Sequence, residues 1–263
     1  MNDFLLTKPL LFAHDFLDKT PVSVAPQHRF FALSQALMQH RSQDILFLFD
    51  DNDLLDKAMR AKLHQDYQRL LVAKPQPHAC VLLAITDEDT PRILLTRRAS
   101  TLSSHAGEVS LVGGKRDVGD GSSYQVALRE AFEEVGLLAD DSTLLGFLPM
   151  QISQKGLLVR PVVASITSQM ASRLVASQDE ICRLFWADLP QLIGTPPSDY
   201  VFYRKALTKQ KLHTPAWLIN DGRTDNNHDG QAEVVWGLTG KILANFLHIG
   251  YGVSYPWYYR LRA

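Results

Sequence analysis

Gly113-Gly114-Lys115-Arg116-Asp117-Val118-Gly119-Asp120-Gly121-Ser122-Ser123-Tyr124-Gln125-Val126-Ala127-Leu128-Arg129-Glu130-Ala131-Phe132-Glu133-Glu134-Val135-Gly136-Leu137 is the stretch on which the reading of this chain turns. Its two opening glycines read as a loop where backbone can come close to a ligand. From about Ser123 to Val135 the residues take on helical periodicity, and Gly136 stops the helix as a C-terminal cap. Positions i, i+3 and i+4 share a helix face, so Glu130, Glu133 and Glu134 lie together. Ala127, Leu128, Ala131, Phe132 and Val135 fill the opposite side.

Three carboxylates on one face repel one another unless something positive sits among them. A solvated acidic stripe is the plainer alternative. Two facts oppose it: no lysine stands four residues after any of these glutamates, and a Gly-Gly pair lies just before the helix. Hard oxygens grouped in this way suit Mg²⁺ or Mn²⁺ bridging to a substrate phosphate.

Outward from the helix the chain reads as strands. His78–Thr86 is an apolar run ending in the turn Asp87-Glu88-Asp89, with Arg92–Thr96 as its partner strand. Thr143–Pro149, Leu157–Ile166 and Ile181–Trp186 read as further strands, the last closed by Asp188-Leu189-Pro190, and Gly237–His248 reads as a terminal helix. The fold class is therefore α/β (α+β), a mixed sheet between helical layers.

Residues 1–75 differ: Phe30–Met38 and Leu54–Leu71 carry helical spacing, and Pro75 and Pro77 mark a boundary. They form a helical N-terminal extension that packs on the main domain or on a second subunit, which leaves a homodimer open. The main domain is expected over 76–250 and an aromatic, basic tail over 251–263, with Tyr255–Arg260 packing on the body or a partner. Asn220–Gly230 lacks the spacing of a calcium loop and reads as a solvated turn.

The composition, 46% hydrophobic and 21% charged, is that of a soluble globular protein. Twenty-seven Lys and Arg against 28 Asp and Glu give a net charge of -1, so no basic field exists to draw in nucleic acid. An anionic substrate must be held by local cations or by metal. Cys80 and Cys182 form no CxxC pair and read as reduced thiols, without a structural zinc. The apolar start lacks a basic leader and is broken by Lys8 and Pro9, and no run approaches the roughly 20 residues of a membrane span. A cytoplasmic protein with no membrane partner is expected.

Gly114-x5-Asp120-x8-Arg129-Glu130-Ala131-x-Glu133-Glu134-x-Gly136-Leu137 resembles the Nudix signature, G-x5-E-x7-R-E-U-x-E-E-x-G-U with U apolar. The second half matches throughout. In the first half Asp120 replaces glutamate and one extra residue precedes Arg129. The resemblance implies a Nudix-type α/β/α sandwich that hydrolyses a diphosphate bond. It also implies roles: Glu130, Glu133 and Glu134 hold metal, with one of them assisting deprotonation of the attacking water. Arg129 pairs with a glutamate and orients it, and a Gly113 or Gly114 carbonyl completes the coordination. Glu180 stands where related enzymes carry an extra acid, as a metal residue or a simple cap.

Leu94-Leu95-Thr96-Arg97-Arg98-Ala99, then Ser103, His105-Ala106-Gly107-Glu108 and Gly113-Gly114, resemble the coenzyme A diphosphatase branch, approximately L-L-T-x-R-[S/A]-x3-R-x3-G-x3-F-P-G-G. That branch tolerates the extra residue in the box, and Val235-Trp236-Gly237-x-Thr239 resembles the start of its C-terminal helix. Ser103 stands in place of arginine, and Leu111-Val112 in place of Phe-Pro. By this resemblance the substrate is coenzyme A or a derivative, cut to 3',5'-ADP and 4'-phosphopantetheine. Arg98, His105, Lys115 and Arg116 are the substrate-binding candidates, while Arg97 reads as an ordinary strand cation. The alternatives are a pyrophosphatase for ADP-ribose or another nucleoside diphosphate derivative, and a catalytically silent nucleotide-sensing module. The intact Arg129, Glu130, Glu133 and Glu134 argue against silence; Asp120, Ser103 and Val112 keep it open.

Overall fold

One strand pairs in parallel with another far along the chain, Ala79 opposite Val159 and Asp87 opposite Thr167, and the other elements are laid around that pair. The computed structural model describes residues 20–39, 77–101, 105–153, 157–203, 211–220 and 232–253. In chain order the elements are α1 (Phe31–Gln39), β1 (Ala79–Asp87), β2 (Arg92–Arg98), β3 (Val109–Ser110), β4 (Val112–Lys115), α2 (Ser123–Val135), β5 (Ser142–Phe147), β6 (Gln151–Ile152), β7 (Leu158–Thr167), α3 (Ser168–Ala171), β8 (Ile181–Asp188), α4 (Leu189–Gly194), β9 (Ser198–Tyr203), β10 (Lys211–Ile219), β11 (Glu233–Val235) and α5 (Gly237–Tyr251).

β1 is parallel to β7 on one side, and on the other it meets β2 at its end and β4 at its start, both antiparallel. β2 carries β3 and β8, and β7 carries β5 and β6. The sheet is mixed, as expected. A strand covered on both faces has no use for polar alternation, and β1 shows why: Cys80, Leu82 and Ala84 pack beneath α2, while Leu83 and Ile85 pack beneath α1 and α5. Helices thus cover both faces. α1 lies on the main domain: Leu33 and Leu37 enter the same core as α5, and Ser34 Oγ donates to Leu145 O at 2.7 Å.

The strand and helix expectations hold to within a few residues, with two differences. Gly113 and Gly114 lie in strand β4, opposite Val81 and Cys80, not in a loop. A Cβ on Gly113 would stand 2.3 Å from Cys80 O, so glycine here serves close strand contact. Second, β9, β10 and β11 form a separate antiparallel sheet over a stretch in which no strand is expected from the sequence. Its segments carry no clear alternation of apolar and polar residues. The expected helix Leu54–Leu71, the tail Tyr255–Arg260 and residues 221–230 of the expected turn lie outside the described residues. Among those described, no helix is long and apolar enough to cross a membrane.

Candidate active site

α2 is fixed at both ends. Ser122 Oγ accepts from Gln125 N at 3.1 Å, and Gly136, at φ 72°, turns the chain out through the left-handed region. Between these caps the buried face comprises Ser123, Val126, Ala127, Ala131, Glu134 and Val135. Glu134 is thus part of the inward face, only 4% exposed, whereas Phe132, expected on the apolar side, is 57% exposed. The physical reason is in β4. Where the helix reaches Gly113 and Gly114 there are no side chains, so a carboxylate fits against backbone. Glu134 Oε2 accepts from Gly113 N at 3.0 Å. Glu130 lies so close to Gly114 that a Cβ there would fall 2.3 Å from its Oε2. Glu133, the third acid, points outward.

Arg129 gathers the loop to the helix. Its guanidinium contacts Glu130 Oε1 at 2.9 Å and Glu133 Oε1 at 3.3 Å, and donates to Lys115 O at 2.8 Å. It meets both oxygens of Asp120, at 3.1 and 3.4 Å. The shorter acid and the extra residue therefore still deliver a forked contact. Burial works against the Asp120 carboxylate, but Arg129 and the Asp117 N–H outweigh it and hold the group below its usual range. Arg129 is held more basic than usual, chiefly by Asp120.

Burial pushes Glu134 up to about 7, against the Gly113 N–H and Arg98, with the charges of Glu130 and Glu180 adding to the rise. Burial likewise raises Glu130, opposed by Arg129 and reinforced by Glu133 and Glu180. Glu180 therefore lies within electrostatic reach of both. Its turn is tied to the site by Ser177 N donating to Glu134 O at 2.8 Å and Ala99 N donating to Glu180 O at 2.8 Å. Arg98 Nη1 stands 3.7 Å from Glu134 Oε1.

The other expected contacts divide. His105 takes a left-handed backbone, φ 56°, and its Nδ1 lies 2.9 Å from Glu108 Oε2. Sequence reasoning misses Glu108 as a partner; its spacing of three from His105 is the available signal. Lys115 is exposed. Arg116 braces the loop before α2: it donates to Asp120 O at 2.8 Å and reaches Pro77 O and Ser123 Oγ at 3.4 Å. Arg97 is no ordinary solvated cation, because it binds buried Glu233 through both oxygens. Leu111 and Val112 are buried core residues, so their departure from Phe-Pro is a change of packing. Ser103 lies outside the described residues.

Among the described residues, no three His, Cys, Asp or Glu side chains converge closely enough to enclose an ion. Glu130, Glu133 and Glu134 fan out, steadied by Arg129, Gly114 and the Gly113 N–H. The donor chemistry nevertheless fits a hard divalent cation. Two carboxylates sit pressed into a glycine cradle, raised by burial and mutual repulsion, which a cation would relieve.

The NUDIX domain family matches residues 75–210, which include this helix and cradle, and the chain belongs to that family. It is a pyrophosphohydrolase of the Nudix class, whose members act on nucleoside diphosphate-linked substrates with divalent metal ions. The particular relatives are proteins called Nudix hydrolase NudL. That of Cronobacter sakazakii is 38% identical over 176 residues, 66% of this chain and 84% of the relative. That of Pectobacterium atrosepticum is 33% identical over 168 residues, 64% of this chain and 80% of the relative. A Caenorhabditis elegans Ap4A hydrolase structure overlaps 44% of this chain and 83% of its own, at 19% identity and a TM-score of 0.37.

Proposed function

We propose that the chain hydrolyses the diphosphate of coenzyme A or a derivative, yielding 3',5'-ADP and 4'-phosphopantetheine, with Mg²⁺ or Mn²⁺. The observation that carries this reading is the placement of Arg98. The segment resembling the coenzyme A branch runs along β2 to the acid helix, and its arginine stands 3.7 Å from Glu134. That proximity supports reading Arg98 and the acids of the helix as one site.

Glu130, Glu133 and Glu134 would hold the metal, with a Gly113 or Gly114 carbonyl and Glu180 beside them. The ion supplies charge neutralisation on the diphosphate and a more acidic water. Arg129 holds Glu130 and Glu133 in place and is itself held by Asp120. Arg98, His105, Lys115 and Arg116 offer cations or hydrogen bonds to phosphate oxygens. The protein works as a cytoplasmic enzyme on small nucleotides, and not on nucleic acid.

The test is direct. Incubate the protein with Mg²⁺ or Mn²⁺ and a panel of coenzyme A, its acyl esters, ADP-ribose and dinucleotides, and read the products by mass. Coenzyme A should give the two named products with no inorganic phosphate. Turnover of ADP-ribose alone would sink the coenzyme A reading and leave the hydrolase intact.

A further inference from the structure

Arg97 and Arg98 are neighbours in β2, and they leave the strand toward opposite layers. Their position coincides with an irregularity in the ladder to β8: Arg97 pairs with Arg183, but Arg98 pairs with Ile181. Cys182 is the extra residue, so β8 is the bulged strand; a bulge bends the ladder and re-aims side chains around it, and bulges gather beside active sites. Here Arg98 is aimed toward α2, at Glu134. Its backbone is gripped by the turn before β3, with Arg98 N donating to Glu108 O at 3.0 Å and Gly107 N donating to Arg98 O at 3.2 Å.

On the other side Arg97 Nη1 donates to both oxygens of Glu233, at 3.1 and 2.9 Å, and Arg183 Nη1 donates to Glu233 Oε1 at 3.2 Å. Arg183 and Glu233 are buried, with side chains 3% and 5% exposed, while Arg97 keeps 34%. A buried ion cluster is a weak source of net stability; its best-attested use is to fix one arrangement over its alternatives. This cluster fastens both strands of the irregular ladder, at the residues where the register shifts, to the first residue of β11.

We propose that Glu233 is a positioning residue: through Arg97 and Arg183 it locks the bulged β2–β8 ladder beside which Arg98 is aimed at Glu134. The second sheet thereby holds the catalytic centre in register without touching it. The inference rests on Arg98 and Glu134 belonging to the site, as proposed above.

The experiment is a double-mutant cycle, using whichever diphosphate of the panel is turned over. Arg97→Gln removes the half-exposed partner and leaves the Arg183–Glu233 pair in place, so the fold should persist; Glu233→Gln is its companion. Each should lower kcat/KM by roughly tenfold or more, the scale of a small misplacement at a catalytic group. Because the lock acts through Arg98, Arg97→Gln should cause no further loss in an Arg98→Ala background. Wild-type kcat/KM in Arg97→Gln would overturn the lock, and so would an equal fold-loss in both backgrounds. Glu134→Gln is the control: full turnover there overturns the site reading and the lock with it. An inert Glu134→Gln beside an unimpaired Arg97→Gln overturns the lock alone.

Discussion

Glu134 is buried because the strand opposite it offers the bare backbone of Gly113 and Gly114, and that pairing yields two predictions. Glu134→Gln keeps the shape and the contact to Gly113 N but removes the charge. Turnover should fall by about two orders of magnitude or more, with circular dichroism and melting temperature nearly unchanged. Retained turnover in that variant, with metal present, would remove the proposed site. Gly114→Ala puts a methyl group where the Glu130 carboxylate now lies. The side chain can swing away, so the fold should survive while turnover is lost; an active Gly114→Ala enzyme would mean that Glu130 is not needed there. At this scale much is legible in the sequence: spacing groups Glu130, Glu133 and Glu134 and marks Gly136 as a cap, and the resemblance to the Nudix signature adds Arg129. What spacing cannot supply is direction. It puts the three acids opposite the apolar side, whereas the backbone of β4 makes room for one of them inside. Nor does spacing show that Arg116 is held by the loop before α2, at Asp120 O, Pro77 O and Ser123 Oγ.

Among the elements, α5 carries an unusual burden. Lys241 is 6% exposed within it, and burial pushes its ammonium down to about 7. An unfolded lysine titrates near 10.4. Between those values the unfolded chain binds the extra proton, so stability from this group rises with pH and falls again as pH drops toward 7. The melting temperature should therefore be higher at pH 9 than at pH 7. In Lys241→Met that slope should flatten and the value at pH 7 should rise; an unchanged slope would assign it to other groups. The helices and the long strands can be read from periodicity, because each buries a continuous face. The three-stranded sheet cannot be, since Ser198–Tyr203, Lys211–Ile219 and Glu233–Val235 are separated by stretches with no repeating pattern. Glu233 shows the cost of missing it: nothing local marks a glutamate whose partners, Arg97 and Arg183, come from distant strands.

For the molecule as a whole, the N-terminal helix is part of the core and not an appendage. Leu33 and Leu37 are 4% and 1% exposed, and a Cβ on Gly146 would stand 2.8 Å from Leu37 Cβ. Leu37→Ala should cost about 2–5 kcal/mol by chemical denaturation. A chain begun at residue 76 should melt markedly lower or precipitate; normal stability in that truncation would show that α1 is dispensable. The sequence announces a helical extension but does not decide between the domain and a second subunit as its support, because an apolar stripe does not name what covers it.

The parallel union of β1 and β7 also has a bearing on how the molecule comes to be made. Neither strand can find its partner through a short hairpin; the chain between Asp87 and Leu158 must close as a large loop first. That closure costs entropy before any of the nine paired positions returns contact energy. Refolding should accordingly be slow, limited by this encounter rather than by local turns. On the ribosome the edge of β1 that β7 will occupy must wait, unpaired, until β7 has been synthesised. In that interval the nascent chain is most exposed to aggregation, and there a chaperone would find its surface.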